Sequence, residues 1–319
     1  MASVVLESSQ LRLVIRPDLG AGISDFSLKG PSNYFYPLMR RASEGETNPS
    51  NLASFAMAPW ANRIAGAAFS FEGKSHKLRA TSSDGSAIHG DVRSRRFETL
   101  DRSPLSARFR FDSTSATDVN FPWPFAVTLR YELHDLWLTI DLDIHNIGDE
   151  PFPAGCGLHP YFNRRLFAND DVVSLQASLS GQFPLTCGCA TGPQVLSALS
   201  SAVAAGGPLP ANHTDAAFLS QDGQARIHWP DSDVSLKMEG GTNQPYNVLF
   251  VPHGSSASGT LQPLPYFAFE PQTNVNDAFN LVAAGTLTAA EAGVRVLQAG
   301  ESLHTQTRFT VEFPSLQKR

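Results

Sequence analysis

The amino-acid sequence predicts an all-β fold, a large antiparallel sandwich with few short helices. Residues 136–144 alternate between apolar and polar side chains, the period-two pattern of a strand that is buried on one face. The 22 prolines and 24 glycines are spread along all 319 residues, as suits many short strands joined by turns. No long stretch with helical periodicity competes with this pattern, so the strands are expected to form the core.

Strand-like segments follow one another from the N-terminus. Alternation of apolar and polar residues predicts strands at residues 4–7, 11–15, 23–28, 68–74, 107–112, 125–133 and 136–145. Gly20 and Gly22 precede the third of them and indicate a turn. This succession is typical of an antiparallel meander, in which neighbouring strands pair with each other.

Helices are expected to be few and short. Residues 195–205 form the best helical candidate, and residues 287–292 predict one more turn. The Ser-, Ala-, Gly- and Pro-rich segment 197–210 has the composition of a linker, but strand-like sequence lies on both sides of it. We therefore interpret it as a surface loop and expect a single domain over residues 1–319.

Composition and charge limit the classes of function. With 42% hydrophobic and 17% charged residues, the chain can bury a sizeable core. The net charge of −6 and the lack of basic blocks interleaved with aromatic residues argue against nucleic acid as a partner. The sequence shows neither a basic leader followed by an apolar run nor a membrane-spanning stretch, so we expect a cytoplasmic protein without a membrane partner. Cys156, Cys187 and Cys189 lack the spacing of a zinc site or a disulfide framework, and no metal is expected.

Four segments combine polar or charged residues with turn formers, three of them beside aromatic residues. They are centred on Arg63, His89, His159 and Glu270. Taken singly, each has an ordinary structural interpretation, such as a salt-bridged surface arginine or a packed core histidine. Taken together, they supply what acid–base chemistry on a sugar hemiacetal needs, a base for the anomeric hydroxyl and an acid for the ring oxygen. Pro271 is expected to end strand pairing after Glu270, and apolar surroundings are expected to raise the pKa of Glu270.

The order of these motifs resembles that of the aldose 1-epimerases, or galactose mutarotases. The matching segments cover nearly the whole chain and are 19–23, 62–64, 69–74, 88–90, 159–163, 215–218, 269–273 and 277–280. Asn-Arg-Ile, His-Pro-Tyr-Phe-Asn and Glu-Pro-x-Thr are specific when they occur in this order and spacing. The resemblance implies a β-supersandwich of the galactose mutarotase type that works with neither a metal nor an organic cofactor.

The resemblance also implies a role for individual residues. Glu270 is expected to be the general base on the C1 hydroxyl and His159 the general acid on the ring oxygen, so that the ring opens and closes again as the other anomer. The residues expected to bind the substrate are Arg63, His89, Asp215, Asn62 and Phe279. Asp215 is assigned by its D-x-x-F spacing, with Asp231 and Asp233 as nearby alternatives.

Three arginines leave open whether the substrate is a neutral or an anionic sugar. Where the family commonly continues with a glycine-rich or arginine-containing segment ending in Trp, this chain has Arg93, Arg95 and Arg96. These side chains face either an anionic group of the ligand or solvent at a strand edge.

The expected activity is a 1-epimerase of a free aldose. A hexose-6-phosphate 1-epimerase and a catalytically silent carbohydrate-binding protein are the alternatives. A glycoside hydrolase would need a second carboxylate near Glu270, for which only Asp215 is available. A small-molecule sugar is the expected partner of a monomer or homodimer.

Overall fold

An antiparallel sheet of 13 strands dominates the protein in the computed structural model, which describes residues 3–167, 171–241, 243–255 and 259–313. Within these ranges, a four-stranded sheet is built from the N-terminal residues, and five two-stranded sheets complete the fold. The prediction of an all-β protein with a large antiparallel sheet is confirmed.

Short strands alternate with turns along the whole chain. Residues 3–90 contribute β1 (Val4–Glu7), β2 (Leu11–Arg16), β3 (Gly22–Lys29), β4 (Phe35–Pro37), β5 (Ala56–Met57), β6 (Arg63–Ile64), β7 (Ala68–Phe71), β8 (Lys74–Lys77) and β9 (Ala87–Ile88). Residues 91–190 contribute β10 (Glu98–Arg102), β11 (Ser106–Asp112), β12 (Phe125–Leu133), β13 (Trp137–Asn146), β14 (Phe152–Ala154), β15 (Gly157–Leu158), β16 (Tyr161–Asn163), β17 (Ser174–Gln182), β18 (Leu185–Thr186) and β19 (Cys189–Ala190). The remaining strands are β20 (Thr214–Trp229), β21 (Val234–Gly240), β22 (Tyr246–Val251), β23 (His253–Ser255), β24 (Leu261–Pro263), β25 (Tyr266–Gln272), β26 (Arg295–Leu297) and β27 (Ser302–Glu312). Each of the seven predicted strands is present.

Helices are short. The α-helices in the described ranges are α1 (Ala198–Ala204), α2 (Ala278–Ala283) and α3 (Ala289–Ala292), and the 3-10 helices are Pro31–Asn33, Pro49–Asn51, Ala65–Ala67, Val92–Ser94 and Ser113–Ser115. No helix in this part of the chain is both long enough and apolar enough to cross a membrane.

Two of the three α-helices start at capping boxes. Ser197 and Ser200 cap α1, and Thr288 and Glu291 cap α3. Both lie within the segments predicted to be helical, which confirms those predictions. The interpretation of residues 197–210 as a loop is wrong for its first half, because the serines that resemble a linker also supply the N-cap of α1. The sequence pattern does not predict α2.

The strand order of the large sheet brings distant parts of the chain together. It runs β10-β11-β12-β13-β27-β21-β20-β22-β25-β15-β5, and β16 and β17 pair with β25 and β20 beside this path. The C-terminal strand β27 lies between β13 and β21, so the sheet is completed only by the last described strand. Strand β25 pairs with β22, β15 and β16, which gathers three chain segments around it.

The hydrophobic core lies against the inner face of the large sheet. Strand β13 buries the alternating side chains Leu138, Ile140, Leu142 and Ile144. The ring of Phe26 in β3 contacts that of Phe309 in β27, with centroids 6.5 Å apart. Tyr131 donates its hydroxyl hydrogen to the carbonyl of Ala21 at 2.7 Å. The N-terminal sheet is therefore joined to the large sheet by both apolar and polar contacts.

Candidate active site

Glu270 and His159 meet where several strands converge. Glu270 belongs to β25, and His159 directly follows β15, which pairs with β25. Oε1 of Glu270 lies 3.2 Å from Nε2 of His159. Only 2% of Glu270 and 4% of His159 is exposed. The structure thus brings into direct contact the two residues that the sequence predicts as base and acid.

Two glycines allow the chain before His159 to approach β25. A Cβ at Gly157 would lie 2.6 Å from the carbonyl oxygen of Pro271, and a Cβ at Gly155 would lie 2.0 Å from Oδ1 of Asn274. Real Cβ atoms do not approach that closely, so these positions require glycine. The glycines of this motif therefore set the depth at which His159 is held.

Strand pairing continues past Pro271. Gln272 pairs with Gly157 on one side and with Tyr246 on the other, and Pro271 lies opposite Asn247. The prediction that Pro271 ends strand pairing is wrong, because a proline removes a single N–H donor and leaves its carbonyl able to accept. Glu270 is consequently held inside a strand and not at a free strand end.

Burial shifts both groups toward their uncharged forms. It raises the pKa of the Glu270 carboxyl well above its usual value, and the negative charge of Asp215 raises it further. Burial also lowers the pKa of His159 to about 3, and the positive charges of Arg40 and Arg93 act in the same direction. The predicted rise in the pKa of Glu270 is confirmed. Because the two groups are in contact, the proton affinity of each depends on the protonation of the other.

Gln272 holds the carboxylate from its other side. Its Nε2 donates a hydrogen bond to Oε2 of Glu270 at 2.9 Å, and the Gln272 side chain is fully buried. This bond stabilises the charged carboxylate and opposes the rise of its pKa. Sequence analysis missed Gln272, although residues two apart in a strand share a face, and that spacing could have indicated it.

His89 lies edge-on against His159. Their ring centroids are 5.0 Å apart, and the Phe55 ring contacts both. The backbone of His89 is left-handed, with φ at 65°, and a Cβ at the following Gly90 would lie 2.1 Å from the carbonyl oxygen of Ala58. Burial, the nearby His159 and two arginines lower the pKa of His89 well below its usual value. His89 is thus a neutral imidazole that can hydrogen-bond to a hydroxyl group.

Arg63 links two carboxylates beside this pair. Its Nε donates to Oδ2 of Asp84 at 3.1 Å, and its Nη1 lies 3.6 Å from Oδ2 of Asp215. Asn62, with φ at 56°, accepts from Nη1 at 3.4 Å. Burial raises the pKa of Asp215, while Arg63 opposes that rise. The charges of Asp215 and Arg63 both act on the pKa of Glu270, so they surround the carboxylate end of the site.

The alternatives to Asp215 lie elsewhere. Asp231 and Asp233 are exposed in the turn between β20 and β21. Asp215 is in the part of β20 that pairs with β22, the neighbour of β25. The structure therefore favours Asp215, as the D-x-x-F spacing does.

Phe279 belongs to the core. It lies on α2, is 4% exposed, and packs in the main hydrophobic cluster with its ring centroid 5.2 Å from that of Phe69. Its aromatic ring fills the space between α2 and β7. These contacts give Phe279 a packing role, and its contact with substrate stays a prediction.

A hairpin that the sequence pattern does not reveal packs on Arg63. Strands β18 and β19 are joined at Cys187 and Gly188, and a Cβ at Gly188 would lie 2.7 Å from Cζ of Arg63. The Gly188 carbonyl accepts from Nδ2 of Asn276 at 2.8 Å.

The three cysteines of the chain are free thiols. In the described ranges, no three His, Cys, Asp or Glu side chains are grouped so that they could hold a metal ion.

Apolar side chains form the walls around the histidines. A second, smaller hydrophobic cluster consists of Phe55, Met57, Ala61, Tyr161 and Ala268. The Tyr161 ring lies 4.5 Å from the His159 ring, and its hydroxyl oxygen is 3.5 Å from Nε2 of His159. Sδ of Met57 is 3.0 Å from Nδ1 of His89. Such walls exclude water and strengthen the interactions of charged groups within the site.

The three arginines that follow His89 have different surroundings. Arg95 makes a bidentate ion pair with Asp91, and Arg96 is exposed. Arg93 places its guanidinium carbon 5.6 Å from the Phe55 ring centroid. Of the three, Arg93 is the one that reaches the aromatic wall of the site.

Comparison with known proteins relates the chain to one described family. The family model described as aldose 1-epimerase matches residues 2–310. An uncharacterized protein of Escherichia coli K12, YphB, is 26% identical over 284 residues, which cover 87% of this chain and 89% of YphB.

Solved structures share the fold. A putative aldose 1-epimerase from E. coli K12 superposes with a TM-score of 0.82 at 23% identity, covering 98% of this chain and 99% of that one. A galactose mutarotase-like protein from Clostridium acetobutylicum also has a TM-score of 0.82, at 17% identity, with 98% and 95% coverage.

Proposed function

Because the chain belongs to the aldose 1-epimerase family, we propose that it interconverts the α and β anomers of a free aldose, with Glu270 and His159 as the acid–base pair. The observation that carries the proposal is the buried contact of 3.2 Å between Oε1 of Glu270 and Nε2 of His159. Mutarotation requires one group to take a proton while another gives one, and this pair can do both.

The reaction moves one proton through the pair. Glu270, as the carboxylate, takes the hydrogen of the C1 hydroxyl while His159, as the imidazolium, gives a hydrogen to the ring oxygen. The C1 oxygen then forms a carbonyl, and the bond between C1 and the ring oxygen breaks. Rotation about the C1–C2 bond and the reverse transfers close the ring as the other anomer. The pair begins with the proton on His159 and ends with it on Glu270, so the charges balance at each step.

Burial and direct contact act on this pair in opposite directions. Contact between the groups favours the ionic form, whereas burial favours the neutral form by raising the pKa of Glu270 and lowering that of His159. Since the cycle passes between these forms, neither can be much more stable than the other in an efficient catalyst. His89, Arg63, Asn62 and Asp215 are proposed to hold the sugar hydroxyls by hydrogen bonds.

The experiment is a measurement of anomer exchange by NMR on glucose, galactose and a panel of other aldoses. Glu270→Gln keeps the side-chain shape but removes the base, so we expect kcat to fall about 10²- to 10⁴-fold. Glu98→Gln makes the same chemical change on an exposed residue of β10 and should leave the rate unchanged. Equal rates for the wild-type protein and Glu270→Gln on every sugar would refute the proposal and favour a silent sugar-binding protein if the sugars still bind.

A further inference from the structure

Several segments of the chain hold Arg63 in place. It lies in β6, opposite Ile88 of β9, and its carbonyl accepts from the backbone N–H of Asp277 at 2.9 Å. The turn between β18 and β19 packs on the guanidinium group, since a Cβ at Gly188 would lie 2.7 Å from Cζ of Arg63. Only 19% of the Arg63 side chain is exposed. These contacts fix the start of the side chain and one face of its guanidinium group.

The nitrogen atoms of Arg63 differ in their partners. Nε donates to Oδ2 of Asp84 at 3.1 Å. Nη1 lies 3.4 Å from Oδ1 of Asn62 and 3.6 Å from Oδ2 of Asp215. No hydrogen bond joins Nη2 to the residues that the structure describes. Because the N–H donors of a guanidinium group have fixed directions in one plane, a partner on Nε determines where Nη1 and Nη2 point.

Asp84 is fixed by the turn that contains it. Its Oδ1 accepts from both the backbone N–H and the hydroxyl of Ser86. The backbone N–H of Thr81 donates to the carbonyl of Ser86 at 2.9 Å, and Oγ1 of Thr81 accepts from the backbone N–H of Ile88 at 2.8 Å. The bonds from Ser86 hold the pKa of Asp84 well below its usual value, and the bond from Arg63 acts in the same direction. One carboxylate oxygen is thus bound within the turn, and the other is bound to Arg63.

The pair of Arg63 and Asp84 controls geometry more than stability. The Asp84 side chain is 32% exposed, so solvent screens the pair, and such pairs add little to the free energy of unfolding. Without Asp84, the remaining partners of the guanidinium group, Asn62 and Asp215, would both hold Nη1. The group would then be free to turn in its own plane about that nitrogen. Arg63 also acts on the pKa of Glu270, so a displaced guanidinium group would alter the site beside the proposed base.

We propose that Asp84 is a positioning residue that acts through Arg63. It holds the guanidinium group so that Nη2 is left to donate to a hydroxyl group of the sugar. This inference rests on the proposed function, in which Arg63 binds sugar hydroxyls. No matching sequence motif contains Asp84, since it falls between segments 69–74 and 88–90. The turn at residues 81–86 thereby serves the binding site through Arg63.

The test separates sugar binding from the chemical step. Asp84→Ala is measured by anomer exchange for KM and kcat, and by NMR titration for Kd in a Glu270→Gln background, where the base is absent. The sugars are glucose, galactose and the other aldoses of the panel. We expect KM and Kd to rise about five- to tenfold, since a partly exposed hydrogen bond between charged groups is lost, whereas kcat should change much less. A merely structural effect lowers the amount of folded protein, so it reduces the apparent kcat and leaves KM unchanged.

A double-mutant cycle tests whether Asp84 acts through Arg63. Arg63→Gln should raise Kd, and the addition of Asp84→Ala should raise it no further. Asp84→Asn keeps the shape but has only one acceptor oxygen for two bonds, so its KM should lie between those of the wild-type protein and Asp84→Ala. Asp101→Ala is the matched control. Oδ2 of Asp101 accepts from Nε of Arg108 at 2.9 Å on β10 and β11, which form one end of the large sheet, and its loss should leave KM and Kd unchanged.

The outcomes distinguish this inference from the proposed function. An Asp84→Ala variant with the KM and Kd of its parent protein overturns the inference and leaves the proposed function intact. So does a rise in Kd that persists in full after Arg63→Gln, because Asp84 then does not act through Arg63. If Asp84→Ala does not fold, Asp84→Asn provides the same comparison. If the wild-type protein and Glu270→Gln are equally slow on every sugar, the proposed function fails, and Kd then decides the role of Asp84. A protein that binds none of the sugars overturns both proposals.

Discussion

Replacing Glu270 by glutamine is expected to stabilise the fold while it removes the activity. The carboxylate is 2% exposed and has two hydrogen-bonding neighbours, Nε2 of Gln272 at 2.9 Å and Nε2 of His159 at 3.2 Å. A glutamine of the same shape can accept from Gln272 through its oxygen and donate to His159 through its nitrogen. The variant therefore keeps both contacts but has no carboxyl group to ionise in the buried site.

The gain in stability of Glu270→Gln over the wild-type protein should increase with pH. Burial raises the pKa of Glu270 in the folded protein well above 4.5, its usual value. Between these two pKa values the folded protein retains a proton that the unfolded chain has released, so the wild-type free energy of unfolding falls as the pH rises. One unit of difference in pKa corresponds to about 1.4 kcal/mol. We expect Glu270→Gln to be more stable by at least about this amount at pH 8, and to differ little at pH 4, where the carboxyl is protonated in both states.

Urea denaturation at pH 4, 6 and 8 measures the difference in the free energy of unfolding between Glu270→Gln and the wild-type protein. In thermal unfolding, the same gain at pH 8 raises Tm by about 2 °C. Glu98→Gln, on the exposed side of β10, is the control and should remain within about 0.5 kcal/mol of the wild-type protein at each pH. The reasoning is refuted if Glu270→Gln is not more stable than the wild-type protein at pH 8, or if its advantage does not grow with pH.

Three further variants test the geometry around the proposed catalytic pair. Gln272→Met removes the hydrogen bond to the Glu270 carboxylate, so kcat should fall about tenfold and the acid limb of the pH–rate profile should move to higher pH. A purely structural role of Gln272 would leave that limb in place. Gly188→Ala puts a Cβ within 2.7 Å of Cζ of Arg63, at φ +75°, and should raise KM several-fold; Gly192→Ala, with no atom within 4 Å of its Cβ, is the control. Phe279→Ala should lower the free energy of unfolding by about 3 kcal/mol, and KM of the folded variant decides whether Phe279 also binds substrate, since a packing role alone leaves KM unchanged.

The strands could be predicted because burial of one strand face makes apolar and polar residues alternate in the sequence. The alternation in residues 136–145 arises from one buried and one largely half-buried face. Strand β13 occupies Trp137–Asn146 with Leu138, Ile140, Leu142 and Ile144 inside. Residues 197–210 show the limit of this reasoning. Their composition fits both a loop and a capped helix, and the contacts of α1 with β17, which decide between them, are distant in the sequence.

The site could be predicted only as far as its residues stand in motifs. His159 and Glu270 are recognisable because glycines and prolines mark the segments that hold them. No local sequence pattern identifies Arg40. Its position beside the site depends on tertiary contacts with Tyr161 and with the carbonyls of Ser50 and Leu52. Phe279 stands in a matching motif, but the contact that the structure shows for its ring is with Phe69 in the core.

The direct bond between Glu270 and His159 has a consequence for substrate binding. Each group satisfies the other, which avoids a buried carboxylate without a donor on Oε1. A sugar that places its C1 hydroxyl on Glu270 and its ring oxygen on His159 must separate the pair and replace one bond by two. Part of the binding energy of the rest of the sugar is therefore needed to open this contact, as is general when remote contacts support the reacting centre. Groups that hold the sugar far from C1 should for this reason affect kcat as well as KM.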